Sequence, residues 1–350
     1  KSGNFNFGIG LNTDTGISGF GELRLNNFDI ANPPYFQGGG QIFNISASIG
    51  EFNKSYRVGF TDPEFMGHPF SLGVDVFNEE FRSRGGSRFT IRQRGVRLRL
   101  GKRISENIFI RTYIGFSEIS ISDLETFVDP FLRELEDDGT SHTLGWSITR
   151  NTANHYLDPT KGTRFRFGNE WASFSGDNDY VKFDTDLTLY YGIKKYEKFT
   201  LSINNRNAYA IPTGDKKLVP LSARFFAGGS TTVRGYDNRD VGPKATTFQD
   251  FAGQTFYDDE ATGGEFRVLN TLEGKYKLNE IMRLYTFMDA GALWFDIDDF
   301  DAKDFKYSVG VGVGLQVPFL GPLRIDYGYP LNPDGNQGSG RLHLQSLINF

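Results

Sequence analysis

The residues best placed to do chemistry lie between Phe225 and Lys244, in the run FFAGGSTTVRGYDNRDVGPK. One arginine, Arg234, stands there between small and apolar neighbours, with Val233 before it and Gly235 and Tyr236 after it. A guanidinium is a permanent cation with a planar fork of donors. It is suited to gripping carboxylates rather than to moving protons. The surrounding segment, residues 212–264, is rich in Gly, Asp and Thr and reads as neither strand nor helix. Loops this long are usually functional or disordered, and this one carries too many aromatic and aliphatic residues for disorder. It is expected to fold back and set Arg234 against a buried carboxylate. Acid–base or nucleophilic chemistry has little to work with. The chain holds four histidines (His68, His142, His155 and His343) and no cysteine. His155 stands near Asp158, and Ser141 precedes His142, but adjacent residues in a strand point to opposite faces. No nucleophile, base and orienter come together, so the protein reads as not an enzyme. The Asp-rich runs 237–240 and 296–304 lack the fixed ligand spacing of a calcium loop and read as solvated. Neither metal nor cofactor is expected.

An arginine held in this way needs a scaffold with a wet interior. The chain has 350 residues, with 34 Phe, 16 Tyr and 42 Gly. Its mean hydropathy is negative, and no apolar run is long enough for a transmembrane helix. Both facts fit a soluble protein. They fit a transmembrane β-barrel equally, because there lipid-facing and lumen-facing residues alternate and average out. A net charge of −5 with both signs interspersed leaves no basic stripe for nucleic acid. No signal peptide precedes the first patterned residues, so the chain is expected to be mature or truncated.

The hydrophobic period is two nearly everywhere. Phe5, Phe7, Ile9 and Leu11 alternate with Asn4, Asn6, Gly8 and Gly10, and Tyr307 to Val317 alternates with glycines and polar residues. The count comes to about sixteen strands of roughly ten residues, as in an all-β, antiparallel transmembrane barrel filling residues 1–350 as one domain. A soluble β-sandwich is disfavoured, because strands this polar on the inward face would leave it without a core. Short connections at 50–53, 101–106, 158–162, 194–198, 279–281 and 320–321 read as periplasmic turns. The connections 26–39, 123–140, 173–178, 212–264, 296–304 and 332–340 read as outer loops. Residues 127–139 are the best candidate for a short helix or ordered external loop. Between Phe89 and Leu100 the apolar phase slips at Gly95, as at a bulge, which would turn Arg92, Arg94, Arg97 and Arg99 into one polar lumen. Trp171, Tyr190, Tyr191, Trp294, Tyr327 and Tyr329 cluster near strand ends, where an interfacial girdle is expected.

At this point the motifs carry a resemblance. Residues 227–236 (AGGSTTVRGY), followed by 241–244 (VGPK), resemble the loop-six signature of the BamA family, the barrel subunits of the machinery that assembles outer-membrane β-barrels. The wider superfamily includes the TamA proteins, two-partner-secretion transporters and organelle homologues, and shares the shorter Val-Arg-Gly-aromatic core. Residues 4–10, 287–294 and 321–330 resemble further family blocks in the family's order, and a terminal aromatic such as Phe350 fits. The family carries N-terminal POTRA repeats that are absent from this sequence, so a barrel-only fragment is expected.

The resemblance implies an infolded extracellular loop six whose Arg234 pairs in the lumen with Asp289, and with Glu273 as second partner. Asp289 shares parity with Tyr285 and Phe287, which points it toward lipid unless a bulge intervenes. It also implies a lateral gate at the seam. Phe5, Phe7 and Ile9 would lie on the first strand, and Gly338, Gly340, Leu344, Ile348 and Phe350 on or before the last. The two glycines are compatible with a kink. The implied partners are nascent outer-membrane β-barrel proteins, outer-membrane lipids and, through the POTRA region, accessory lipoproteins. The implied location is the bacterial outer membrane. Rival readings are a two-partner-secretion or TamA-like translocase and an anion-type porin, whose inward arginines would select anions.

Overall fold

The structure, a computed structural model, describes residues 3–82, 89–122, 138–156, 158–172, 176–193, 198–215, 217–251, 254–317, 321–334 and 338–349. Alternation over ten residues or more produces strands with one apolar and one polar face. Such strands bury both faces only by closing on themselves with lipid outside and water within. Sixteen antiparallel strands do so. They are β1 (Gly3–Asn12), β2 (Gly16–Phe28), β3 (Gln41–Gly50), β4 (Asn53–Asp62), β5 (Ser71–Arg82), β6 (Thr90–Ser105), β7 (Ile108–Ser122) and β8 (Gly139–Asn151) in the first half. The second half holds β9 (Lys161–Ala172), β10 (Tyr180–Gly192), β11 (Phe199–Pro212), β14 (Phe266–Lys277), β15 (Met282–Trp294), β16 (Lys306–Val317), β17 (Gly321–Pro330) and β18 (Arg341–Asn349). Each pairs with the next around the wall, and β1 closes on β18. The long segment between β11 and β14 is not wholly irregular, contrary to its composition. It contains a hairpin of β12 (Lys244–Phe251) and β13 (Gln254–Ala261), paired without a register shift.

Three expectations from the sequence need correction. The first concerns the rims. Counting antiparallel strands from β1 puts the β3–β4 connection on the same rim as loop six, and the β2–β3 connection on the opposite one. So 50–53 is an outer hairpin and 26–39 a periplasmic turn. Loop length is a tendency, whereas strand parity fixes the rim.

The second concerns β6. Its pairing with β5 and β7 runs without a shift through Gly95, and the one irregularity lies between Arg103 and Ser105. Arg97 and Arg99 face the lumen, while Arg92 and Arg94 share the outward face with Val96, Leu98 and Leu100. The phase change marks where the strand leaves the lipid. At about 3.3 Å per residue and a tilt of about 40°, sixteen residues rise about 40 Å, well above an apolar band of about 25 Å. Outside that band Arg92 pairs with Glu80 and Arg94 with Glu118, both at 2.9 Å.

The third concerns the aromatics. Trp171, Tyr191, Tyr327 and Tyr329 are exposed on the outer surface. Tyr190 instead faces the lumen, with the Arg164 guanidinium 5.5 Å from its ring centre. Trp294 is buried beneath the 295–305 loop, where its ring centre lies 4.8 Å from that of Phe300 and its indole N–H donates to Asp304 at 2.9 Å. Of the 127–139 segment only its last two residues are described, and Gly139 opens β8.

The lumen has two halves. Toward the outer rim, loop six packs against inward-facing apolar residues: Val233, Tyr236 and Val241 against Leu269 and Leu293, Leu221 against Phe89 and Ile121, and Val219 against Tyr180 and Ala210. Toward the periplasm the wall is polar, with Arg99, Arg111, Arg164 and Arg166 on inward positions. The β8–β9 turn folds across this lower half. Its Asp158 accepts hydrogen bonds from Lys275 on β14 and from Arg283 on β15, the latter at 2.8 Å. Two strands, β10 and β11, separate β9 from β14, so the turn spans that sector of the mouth. Burial would raise the Asp158 carboxyl pKa, but Arg283 and Lys275 together hold it below its ordinary value.

Leu98→Arg, inside the lipid band, should cost about 2–4 kcal/mol in urea titration of the barrel in bilayers, whereas Arg94→Ala, above it, should change stability by no more than about 0.5 kcal/mol.

Candidate functional site

Loop six is pinned at its root by a buried pair. Arg224 donates to Glu265 at 2.8 Å and to the Val219 and Gly263 carbonyls, with its guanidinium 4.3 Å from the Phe295 ring centre. Glu265 also accepts the Val219 backbone N–H at 3.0 Å. These bonds tie the two ends of the loop together. The chain between them descends into the barrel and returns.

At its tip the four motif residues have separate tasks. Val233 is fully buried and lies over Gly291, where an added Cβ would come 2.5 Å from it. Gly235 holds φ +90°, and a Cβ there would fall 3.0 Å from the Gly328 backbone of β17. A Cβ on Gly328 would in turn come 2.6 Å from the Gly235 nitrogen. Backbone meets backbone, and only glycine on both sides permits it. Tyr236 is buried, and its hydroxyl lies 3.2 Å from both the Tyr307 carbonyl and Asn332 Oδ1, joining the loop to the outer end of β16 and to the outer loop after β17.

Arg234 is the anchor. It makes a fork–fork contact with Asp289, Nε to Oδ2 and Nη2 to Oδ1, both at 2.8 Å, and its backbone N–H adds a third bond at 3.1 Å. Its Nη1 reaches Glu273 at 3.3 Å and Asp326 at 3.1 Å. Thr271 donates to Asp289 at 2.9 Å. Asp289 is wholly buried and Arg234 nearly so. Burial would lower the Arg234 pKa, but its bonds to Asp289 outweigh that and raise it above its ordinary value. β15 reaches this point without a bulge, so Tyr285, Phe287 and Asp289 all face inward. The two aromatics are shelves for cations: the Arg234 guanidinium lies 3.4 Å from the Phe287 ring centre, and that of Arg324 4.1 Å from Tyr285. The parity argument against Asp289 therefore fails, because an aromatic can serve the lumen when it carries a guanidinium.

The sequence reading missed half of this network. Arg324 and Asp326 on β17 bond each other at 2.8 Å, and Arg324 also donates to Glu273. Two cations thus share three carboxylates. The available signal was that both residues fall on the polar parity of β17, opposite Leu323, Ile325 and Tyr327. A polar cavity of about 320 Å³ lies beside the network, lined by Arg206, Ser230, Thr232 and Gln345 among others. Among the described residues, no group of His, Asp and Glu is placed to hold a metal ion.

The seam is the second feature. β1 pairs with β18 at five positions, from Gly8↔Asn349 to Asn12↔Gln345, and β18 pairs with β17 at six. Every other neighbouring pair in the barrel shares eight to fifteen among the described residues. Phe5, Phe7 and Ile9 face outward from β1 and are exposed. Ile9 pairs with Ile348, and the Leu344 carbonyl accepts the Thr13 N–H at 3.1 Å. Gly338 and Gly340 precede β18 rather than lying in it, and the Tyr327 ring covers Gly340. Phe350 lies outside the described residues.

An infolded loop with its arginine on the wall of a sixteen-stranded barrel invites comparison with known proteins. The Omp85 superfamily domain matches residues 36–346. The chain belongs to the Omp85 superfamily. Among curated relatives, the outer membrane protein assembly factor BamA of Nitratidesulfovibrio vulgaris is 26% identical over 343 residues, covering 95% of this chain and 41% of that protein. The BamA of Neisseria meningitidis is 23% identical, covering 89% and 44%. The chain thus spans less than half the length of these Omp85 relatives. The crystal structure of Haemophilus ducreyi BamA lacking POTRA domains 1–3 superposes with a TM-score of 0.85 at 21% identity, covering all of this chain and 70% of that one. CdiB from Acinetobacter baumannii gives a TM-score of 0.61 at 18% identity, covering all of this chain and 60% of that one. This Omp85 barrel is an integral protein of the outer membrane.

Arg234→Ala should leave three carboxylates to Arg324 alone and cost about 3–5 kcal/mol, read as a lower temperature for loss of the fast-migrating folded band on electrophoresis. Gly328→Val should lower that temperature as well, by pushing the loop tip off the wall.

Proposed function

We propose that this barrel folds and inserts other β-barrel proteins into the outer membrane, through a lateral gate between β1 and β18. The observation that carries the reading is the short pairing of β18 on both flanks, five positions toward β1 and six toward β17. A strand held by so few ladder bonds is the cheapest place to part the wall. Once parted, the β1 edge presents unpaired N–H and C=O groups, and an incoming strand satisfies them by β-augmentation. Phe5, Phe7 and Ile9 already face lipid, so a client strand added there enters the bilayer directly. Loop six, fixed by Arg234, keeps the remaining wall in register while the seam moves.

No catalytic group is needed, because the client gains its own hydrogen bonds and lipid-buried surface. The clients are unfolded outer-membrane β-barrel chains, and the lipid of the outer membrane is their destination. Accessory lipoproteins acting through segments outside the barrel belong to the same reading. The names of the Omp85 relatives support it, and the packed outer half of the lumen weighs against a porin.

Leu11 and Ser346 face each other across the seam, and the chain has no native cysteine to compete. In the full-length protein, Leu11→Cys with Ser346→Cys should form a disulfide that stops assembly of a reporter barrel in proteoliposomes, with reductant restoring it. Full assembly with the link formed would remove the gate.

A further inference from the structure

Ser230, buried at the tip of loop six, touches both sides of the seam. Its backbone N–H donates to Asp14 Oδ2 at 2.7 Å, and its hydroxyl donates to the same oxygen at 2.6 Å. Its carbonyl accepts from Gln345 Nε2 at 2.7 Å. Asp14 lies two residues beyond the end of β1, and Gln345 lies on β18. Asn12 and Gln345 are the facing pair at the outer end of the seam ladder, and Asn12 Oδ1 lies 3.4 Å from the same serine hydroxyl. One residue of the loop therefore bridges the strands that must separate. The approach is close. Gly229 holds φ +100°, and a Cβ there would fall 2.7 Å from Asp14 Oδ2. The loop grips β18 twice more, through the Gly235 N–H to His343 Nε2 at 2.8 Å and through Asp237 to Arg341 at 2.6 Å.

We infer that loop six is the latch of the seam, with Asp14 and Gln345 as the positioning residues that clamp the first and last strands to Ser230. The inference rests on the gate reading for its purpose, though not for its geometry. The seam ladder has five positions. Bonds to a carboxylate are about twice as strong as neutral ones, and here two of them converge on one oxygen at the end of that ladder. Loop six is itself fixed to β14, β15 and β17 through Arg234, so Ser230 cannot follow either strand outward. The outer end of the seam is thereby the held end. Parting starts at Gly8↔Asn349, toward the periplasm, and runs outward until Ser230 releases one strand. A client would add from the periplasmic side first.

The test is hydrogen–deuterium exchange by mass spectrometry on the full-length protein in lipid nanodiscs. Peptides covering Gly8–Asn12 and Arg341–Ser346 should exchange about tenfold faster in Asp14→Ala than in the wild type, with β9 to β11 unchanged. Gln345→Ala should give the same pattern from the other side of the seam. It also covers the case in which Asp14→Ala fails to fold. The yield of the Leu11→Cys/Ser346→Cys disulfide should fall when Asp14→Ala is added. Seam exchange at wild-type rates in both variants would overturn the latch. A disulfide-locked barrel that still assembles clients, combined with faster exchange in Asp14→Ala, would overturn the gate and leave the latch standing.

Discussion

One buried guanidinium sets the terms for this structure. Arg234 stands where the packed outer half of the lumen meets the polar half, nearly buried although a polar cavity opens beside it. Its cost of burial is met only because Asp289 takes the fork edge-on while Glu273 and Asp326 close around the remaining nitrogen. The three carboxylates come from three strands, β14, β15 and β17. The residue that satisfies the loop therefore also fastens these strands to one point. A buried cluster of two cations and three acids rigidifies the loop's position.

The seam acquires its character from this anchoring. A strand joined at eleven ladder positions in all would fray freely in an empty barrel. Here the loop reaches it at His343, Gln345 and Arg341, and reaches the β1 side at Asp14. Backbone pairing at the seam is sparse, and side-chain bonding from within supplements it. Side-chain bonds can be exchanged one at a time, whereas a ladder breaks in sequence. On the gate reading proposed above, such a joint is firm at rest and still separable.

Much of this was legible in the sequence, for identifiable reasons. Alternation marked the sixteen barrel strands, because each divides lipid from water over much of its length. For Arg234, composition alone left a solvated loop arginine equally open, and the resemblance of residues 227–236 to the family motif decided for the lumen. What failed were inferences from local pattern to three-dimensional placement. The break at Gly95 looked like a bulge, because a sequence does not record where the membrane ends. Phe287 looked lipid-facing, because an aromatic beneath a guanidinium and an aromatic beneath a fatty acid are the same letter. Asp326 and Ser230 went unnoticed as partners, since each acts across a strand or loop far away in the chain. The hairpin β12–β13 was hidden by a composition of Asp, Thr and Gly that usually marks irregular loops.

The turn that carries Asp158 bears on permeability. An unobstructed cylinder of sixteen strands would let ions and small solutes drain across the membrane it serves. Here loop six fills the cylinder from above, and the Asp158 turn, tied to Lys275 and Arg283, lies across part of its lower opening. Passage straight through would have to dislodge loop six and, in the sector beneath β10 and β11, the Asp158 turn as well, each fastened by paired charges. On the proposed lateral route a client leaves in the plane of the bilayer while the Arg234 anchor and the Asp158 turn stay in place.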